Sequence, residues 1–503
     1  NPRVHHEPVL NPYLLWFAAN NKGAILHQKF LQTQKEEDAQ ACLNTYYWAD
    51  SLLTNLRGDL FWEGSRADLV GGEARQWQHS AVSFASYAYS INQDVDYLDM
   101  CFYFMERSRA LLLTEAVESR TFAPLSLKAW FEQEKILEKA VNDVERRLQD
   151  ERTQEHPDQS ILSDLQDSIF QLKEQYIDHI ETLREGQAEY YRARFQPQGP
   201  KIRDVQDSLA NDSTLLIEYQ LSADELVILG IDKRKSSLHR QPLEPQFFDQ
   251  LAAFRAYQEG FRLELSQSDD DQRERFRTFV SLSHTIFDTL LEKVLKSRPD
   301  INNLIIIPHR ELGFIPFELL LTQEAEVKDY RTLPYLLKGY TVRYEYSAGF
   351  AIADTPKKVP TGRNFVGFAP NYREQDFLAN MEGQDSVKLA TSFPNLRGKL
   401  EPLQYNQAEV KEIANIMSGS SWVGQEATKA AFAKRAKDAG LLHLAMHAFV
   451  NDTFPDYSHL VFASPMADES RTKLFAYELY NMSLDAQLAV LSACETGAGK
   501  VID

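Results

Sequence analysis

The chain has 503 residues, 43% hydrophobic and 25% charged, with a net charge of −19. That is enough chain for two to four domains, and it has the wrong sign for a broad nucleic-acid footprint, which needs clustered Lys and Arg. Three cysteines exclude a disulfide framework and point to a reducing cytoplasm; no apolar run reaches the roughly 18 residues of a membrane span, and no signal-peptide pattern opens the sequence.

Residues 1–125 read as helical and rich in aromatics. Small residues (Gly23, Ala39, Ala49) stand where two packed helices would touch, and Leu26, Phe30, Tyr46 and Leu52 would fill the gaps between them. A second segment repeats the style with Ala85, Tyr87, Tyr97 and Phe102. This resembles degenerate tetratricopeptide (TPR) repeats, stacked helix pairs of about 34 residues. A generic helical bundle is the alternative.

Residues 126–200 read as a long helical hairpin. Leu137, Val141, Val144 and Leu148 recur at spacings of four, three and four, and after a polar break Leu162, Leu165, Ile169, Leu172 and Tyr176 continue the same coiled-coil-like seam. Pro157 cannot continue a helix, which predicts two antiparallel arms instead of one rod.

The texture then changes. The runs DSTLLIEYQL, ELVILGID, NNLIIIPH, YTVRYEYS and NFVGFAP are short and β-rich, and helical stretches separate them. Strands alternating with helices predict an α/β region with a mostly parallel sheet, so the fold class is α + α/β. Residues 201–360 form its first part and 361–503 its second. The second part holds the helices NQAEVKEIANIM and TKAAFAKRAKD, then the strands LLHLAMH and QLAVLSA.

Those two strands carry the candidate chemistry. Alternation would put His443 and His447 on one face of LLHLAMH, with His447 at the strand end. QLAVLSA reads as a buried strand with Cys494 at its carboxyl end. Sites in open α/β sheets form outside the carboxyl ends of the strands. An imidazole and a thiol there can act together. The histidine takes the thiol proton and later protonates the leaving amine, while backbone N–H groups of Ala448 and Cys494 stabilise the oxyanion. His443 reads as a packed or hydrogen-bonded core histidine, and Cys42 and Cys101 read as core residues of aromatic-rich helices. No CxxC or HExxH spacing occurs, so no metal is expected, and no cofactor.

Several segments from about residue 200 onward resemble the CHAT family of caspase-like (clan CD) cysteine peptidases, which often follows TPR repeats. IIIPHRELGFIPFELL carries Pro308, Leu312, Pro316 and Phe317; YLLKGYTVRYEYSAG, FVGFAPNY, PLQYNQAEVKEIANIM and VGQEATKAAFAK follow in order. The resemblance implies a catalytic dyad at His447 and Cys494, and a first part of the domain (201–360) that is pseudo-protease-like. It further implies an endopeptidase acting on a specific protein substrate, regulated through a protein or complex bound by the TPR-like region. The setting implied is bacterial defence or signalling, CRISPR-associated assemblies and gasdermin operons among them. Three departures accompany it. The family's usual glycine after the histidine is Ala448, which a left-handed backbone would strain by about 1 kcal/mol or more. Ser492, two before the nucleophile, does not reveal the residue preferred at the cleavage site. The sequence given stops nine residues after Cys494, where a caspase-like sheet would continue. The alternative reading is an inactive caspase-like scaffold that binds protein partners through its TPR-like region.

Overall fold

The computed structural model describes residues 12–58, 75–107, 109, 127–152, 154, 157–188, 191, 199–260, 269–325, 329–352, 364–372, 403–450, 458–463, 472–480, 482, 484 and 486–492. The chain divides into two compact units. One comprises residues 1–128, 177–354 and 501–503; the other comprises 129–176 and 355–500. Among the described residues no helix is long and apolar enough to cross a membrane.

Among the described residues the first unit opens with four helices, α1 (Pro12–Thr33), α2 (Glu36–Gly58), α3 (Arg75–Asn92) and α4 (Val95–Arg107). They pair in succession, α1 with α2 and α3 with α4. The small residues work as their positions suggest. A Cβ on Gly23 would stand 3.0 Å from the Tyr46 ring, and Ala39, Ala49, Phe30 and Tyr46 are all buried. Trp16, Tyr46, Trp77, Phe84 and Phe104 form a chain of tilted and edge-on ring contacts through these helices.

The chain next forms the hairpin arms α5 (Lys128–Arg152) and α6 (Gln159–Gly186), with Pro157 between them. Leu137, Val141, Leu148, Leu165 and Tyr176 of the expected seam are buried. Tyr176 donates to Glu134 at 3.1 Å, and Lys173 pairs with Glu145 at 2.9 Å across the arms.

A short helix, α7 (Ile202–Ser208), leads into strands β1 (Thr214–Leu221), β2 (Glu225–Asp232) and β3 (Ser236–Pro242). Helices α8 (Gln246–Gly260) and α9 (Asp269–Phe287) follow, then β4 (Asn303–Ile307), β5 (Thr341–Tyr344) and α10 (Ala348–Ile352). The five strands form one sheet in the order β3-β2-β1-β4-β5. Half of it departs from the mostly parallel expectation: β1/β2 and β2/β3 are antiparallel, β1/β4 and β4/β5 parallel. The reason is local. Ser222 to Asp224 and Lys233 to Lys235 are turns too short for a parallel crossover. Both faces of β1 are buried. Leu215, Ile217 and Tyr219 pack with α8 and α9, whereas Leu216 shares a core with α1–α4.

Charged groups fasten those helices to the sheet. The Glu106 carboxylate accepts the N–H groups of Ala348 at 2.7 Å and Gly349 at 3.0 Å. Arg109 donates to Pro308 O at 2.5 Å and to Tyr219 O. Its Nε lies 3.3 Å from Glu218 Oε1, an ion contact without hydrogen-bond alignment. Burial and the adjacent Glu106 push the Glu218 carboxyl well above the usual range.

The second unit contains β6 (Phe365–Pro370), α11 (Asn406–Ile416), β7 (Ser420–Gly424), α12 (Lys429–Arg435) and β8 (Leu441–Leu444). Three two- to three-residue strands follow, β9 (Ala448–Phe449), β10 (His459–Val461) and β11 (Lys473–Phe475), then β12 (Leu488–Leu491). Strands β12-β8-β6-β7 make an all-parallel sheet, and β11-β10-β9 a small antiparallel one. On one face, Phe368 stacks on Trp422 at 5.4 Å and meets Phe432 and Phe462 edge-on. On the other, Ala369, Ala445 and Val410 of α11 close together. This close approach requires Gly367, because a Cβ there would lie 2.5 Å from Val410 Cγ1.

Candidate functional site at the carboxyl ends of β6 and β8

Strand β8 lies between β6 and β12. Phe368 pairs with Leu444 on one side and Leu491 with Leu444 on the other. The ladder extends slightly further, since Ala445 N–H donates to Phe368 O and Ser492 N–H to Leu444 O, each at 2.9 Å. Asn406, buried at the start of α11, clamps two strand ends. Its side-chain amide donates to Pro370 O at 2.9 Å and Ala445 O at 3.2 Å.

The strand stops at Leu444, three residues earlier than the alternation of LLHLAMH predicts, and a second short strand begins at Ala448. His443 and His447 therefore occupy different surroundings. His443 is buried and meets Glu409 of α11, Nε2 to Oε1, at 2.8 Å. Its reading as a hydrogen-bonded core histidine agrees with this contact. His447 is half-buried, its ring 4.6 Å from that of Tyr372 and 6.5 Å from that of Phe449.

The backbone at His447 is held on both sides. Val461 N–H donates to His447 O at 3.0 Å. His447 N–H donates to the Tyr372 hydroxyl at 3.1 Å, and that hydroxyl donates to Val461 O at 2.6 Å. Paired positions in an antiparallel ladder alternate between hydrogen-bonded and non-hydrogen-bonded. His447 and Val461 form a bonded position, so Ala448, opposite Leu460, falls on a non-bonded one. The Ala448 N–H thus points away from β10. Ala448 lies in extended backbone and is not among the positive-φ residues, so alanine in place of glycine carries no left-handed strain here.

Cys494 lies outside the described residues. The last described strand before it is β12, which differs from the sequence reading. Leu488, Val490 and Leu491 are 54%, 37% and 47% exposed, although a buried strand was expected. Among the described residues β12 stands at the edge of its sheet, paired to β8 on one side only. Its register still matters. Leu491 pairs with Leu444, and Cys494 and His447 each stand three positions beyond that pair.

Two residues escaped the sequence reading, Tyr372 and Asn406. Both lie in segments that carry the CHAT resemblance, Tyr372 at the end of FVGFAPNY and Asn406 within PLQYNQAEVKEIANIM, but neither was singled out as a site residue. Cys42 and Cys101 are fully buried, and burial raises both thiols far above their ordinary range. Among the described residues no group of three or more His, Cys, Asp or Glu could hold a metal ion.

Residues 280–503 match the family model of the CHAT domain. That domain is related to caspase-like peptidases, a relation compatible with either a protease or a scaffold. No curated protein matches the chain.

Proposed function

We propose that this chain is a caspase-like cysteine endopeptidase with Cys494 as nucleophile and His447 as general acid and base. The observation that carries the reading is the parallel register of β8 and β12. By sequence count His447 and Cys494 each follow the paired residues Leu444 and Leu491 by three, and α/β sheets build their sites just past the carboxyl ends of neighbouring strands, which supports the reading.

In this reading His447 accepts the Cys494 thiol proton and the thiolate attacks the substrate carbonyl carbon. The N–H groups of Ala448 and Cys494 receive the resulting oxyanion. His447 then gives its proton to the leaving amine as the C–N bond breaks. A water, deprotonated by the same imidazole, hydrolyses the thioester. The helical region, read as TPR-like, binds a regulatory protein or complex, in a bacterial defence or signalling setting within the cytoplasm.

The test needs no substrate. Iodoacetamide alkylation of native protein, mapped by mass spectrometry, reports on Cys494 because Cys42 and Cys101 are buried. A free thiol titrates near about 8.5. Alkylation of Cys494 is expected to have a midpoint well below that value, returning to it in His447→Ala. An ordinary midpoint, unchanged by His447→Ala, refutes the dyad and favours the scaffold reading.

A further inference from the structure

We propose that Tyr372 is a positioning residue for the His447 and Ala448 backbone. This inference rests on the dyad reading above. It starts from an irregularity in the β9–β10 pair. A bonded antiparallel position normally exchanges two direct N–H···O=C bonds. At His447 and Val461 one bond is direct and the other runs through a phenol. The Tyr372 hydroxyl accepts from His447 N–H and donates to Val461 O.

Inserting a hydroxyl into a ladder bond has two consequences. It holds the N–H side of the pair open by the width of one oxygen and sets the plane of the peptide that enters His447, while the direct bond from Val461 N–H to His447 O holds the next peptide, which carries the Ala448 N–H; the two together fix the backbone on either side of the imidazole. It also brings the Tyr372 ring against the imidazole at 4.6 Å, limiting its rotation. Tyr372 is itself buried and follows Pro370, whose carbonyl Asn406 clamps. The phenol is therefore fixed from the β6 side and reports that position to His447. Burial, partly offset by the bond from His447 N–H, raises the phenol above its ordinary range, so it stays a donor. Besides His447, the titratable groups carried by these three short strands are His459, stacked on Phe449 at 5.3 Å, and Lys473 on β11.

Tyr372→Phe keeps the ring and deletes the relay. The strand must then either close to the direct bond, turning the His447 peptide, or leave a buried N–H and a buried carbonyl unpaired. Both outcomes displace the base and the Ala448 amide. The experiment is the Cys494 alkylation profile of wild type, His447→Ala, Tyr372→Phe and Tyr219→Phe. The last deletes a buried hydroxyl bonded to Leu290 O in the other unit and serves as the structural control. Tyr372→Phe is expected to raise the midpoint by about one pH unit, a roughly tenfold loss of thiolate below it. Tyr219→Phe is expected to leave the midpoint alone. In Tyr372→Phe, hydrogen exchange of a peptide spanning 444–450 should quicken while 365–370 keeps its protection. Installing 4-aminophenylalanine at position 372, which restores a donor, should recover the wild-type profile; 4-fluorophenylalanine, which fills the hydroxyl's space without a donor, takes the place of Tyr372→Phe in the comparison if that variant does not fold. If the wild-type midpoint is low and depends on His447, yet Tyr372→Phe superimposes on wild type, the role of Tyr372 is refuted and the dyad stands. If wild type and His447→Ala coincide, the dyad itself fails.

Discussion

Replacing Asn406 with alanine should loosen the strand ends of the second unit without touching the first. Asn406 is 6% exposed and its amide spans two carbonyls, Pro370 O at 2.9 Å and Ala445 O at 3.2 Å, on adjacent strands. Its own oxygen accepts Gln407 N–H at 2.8 Å. Alanine leaves both carbonyls without that donor in a place closed to water. Each lost bond to a buried acceptor costs about 1 to 1.5 kcal/mol, so the sum is about 2–3 kcal/mol. A tenfold change corresponds to about 1.4 kcal/mol, so exchange of the affected amides should quicken by roughly 30- to 150-fold where exchange follows the opening equilibrium. Hydrogen exchange with mass spectrometry reads this directly, comparing peptides 365–370 and 441–447 with 214–232 of the other unit as internal reference. Asn406→Asp should be worse near neutrality, since a carboxylate would face two carbonyl oxygens. That deficit should shrink as pH falls, because a protonated carboxyl can donate to one of them. Acceleration of less than about threefold, or equal acceleration in 214–232, would refute the clamp.

Gly367→Ala should destabilise the second unit by about 1–3 kcal/mol, because the new methyl meets Val410 Cγ1 at 2.5 Å and Phe365 at 2.9 Å. Thermal unfolding checks this, and Gly367→Ala combined with Val410→Ala should recover part of the loss. At the turn after β2, burial would raise the Asp232 carboxyl, but the Arg298 guanidinium at 2.7 Å and the N–H groups of Arg234 and Lys235 outweigh it and hold it below the usual range. A depressed folded-state value stabilises above the unfolded value of about 3.9 and loses that contribution as pH falls through the folded one. Arg298→Met should therefore cost several kcal/mol at neutral pH, about 3–5 for a broken buried pair, and less in acid. Urea titrations at pH 7 and pH 3 measure the difference, and an equal cost at both would exclude the ion pair as its source.

Much of the architecture could be read from single segments. The β-rich runs became β1, β2, β4, β5 and β6, and NQAEVKEIANIM became α11, because periodicity of two or 3.6 is a local property. β3, SSLHRQP, was missed. It is polar and half-exposed, and only its pairing with β2 makes it a strand. The exposure of β12 could not be read either, since LAVL looks the same in the middle of a sheet and at its edge. The end of β8 was misplaced for a related reason. Alternation in LLHLAMH continues to His447, but the ladder ends at the Ala445 N–H, and the chain re-enters pairing with β10 instead.

The candidate site divides along the same line. Residue type and spacing alone singled out His447, Cys494 and Ala448, because a thiol needs a base nearby and both lie next to apolar strands. Which groups surround the imidazole was decided by contacts between distant segments: Tyr372 reaches His447 and Val461, 75 and 89 positions away, much as Asn406 reaches Pro370 and Ala445, 36 and 39 positions away, to clamp the strand ends. Sequence determined what could form a strand and which side chains carry chemistry, since these follow from local sterics and polarity. Only the tertiary structure decided strand order, register and the phenol in the ladder, since these depend on which distant groups close packing brings within hydrogen-bond reach.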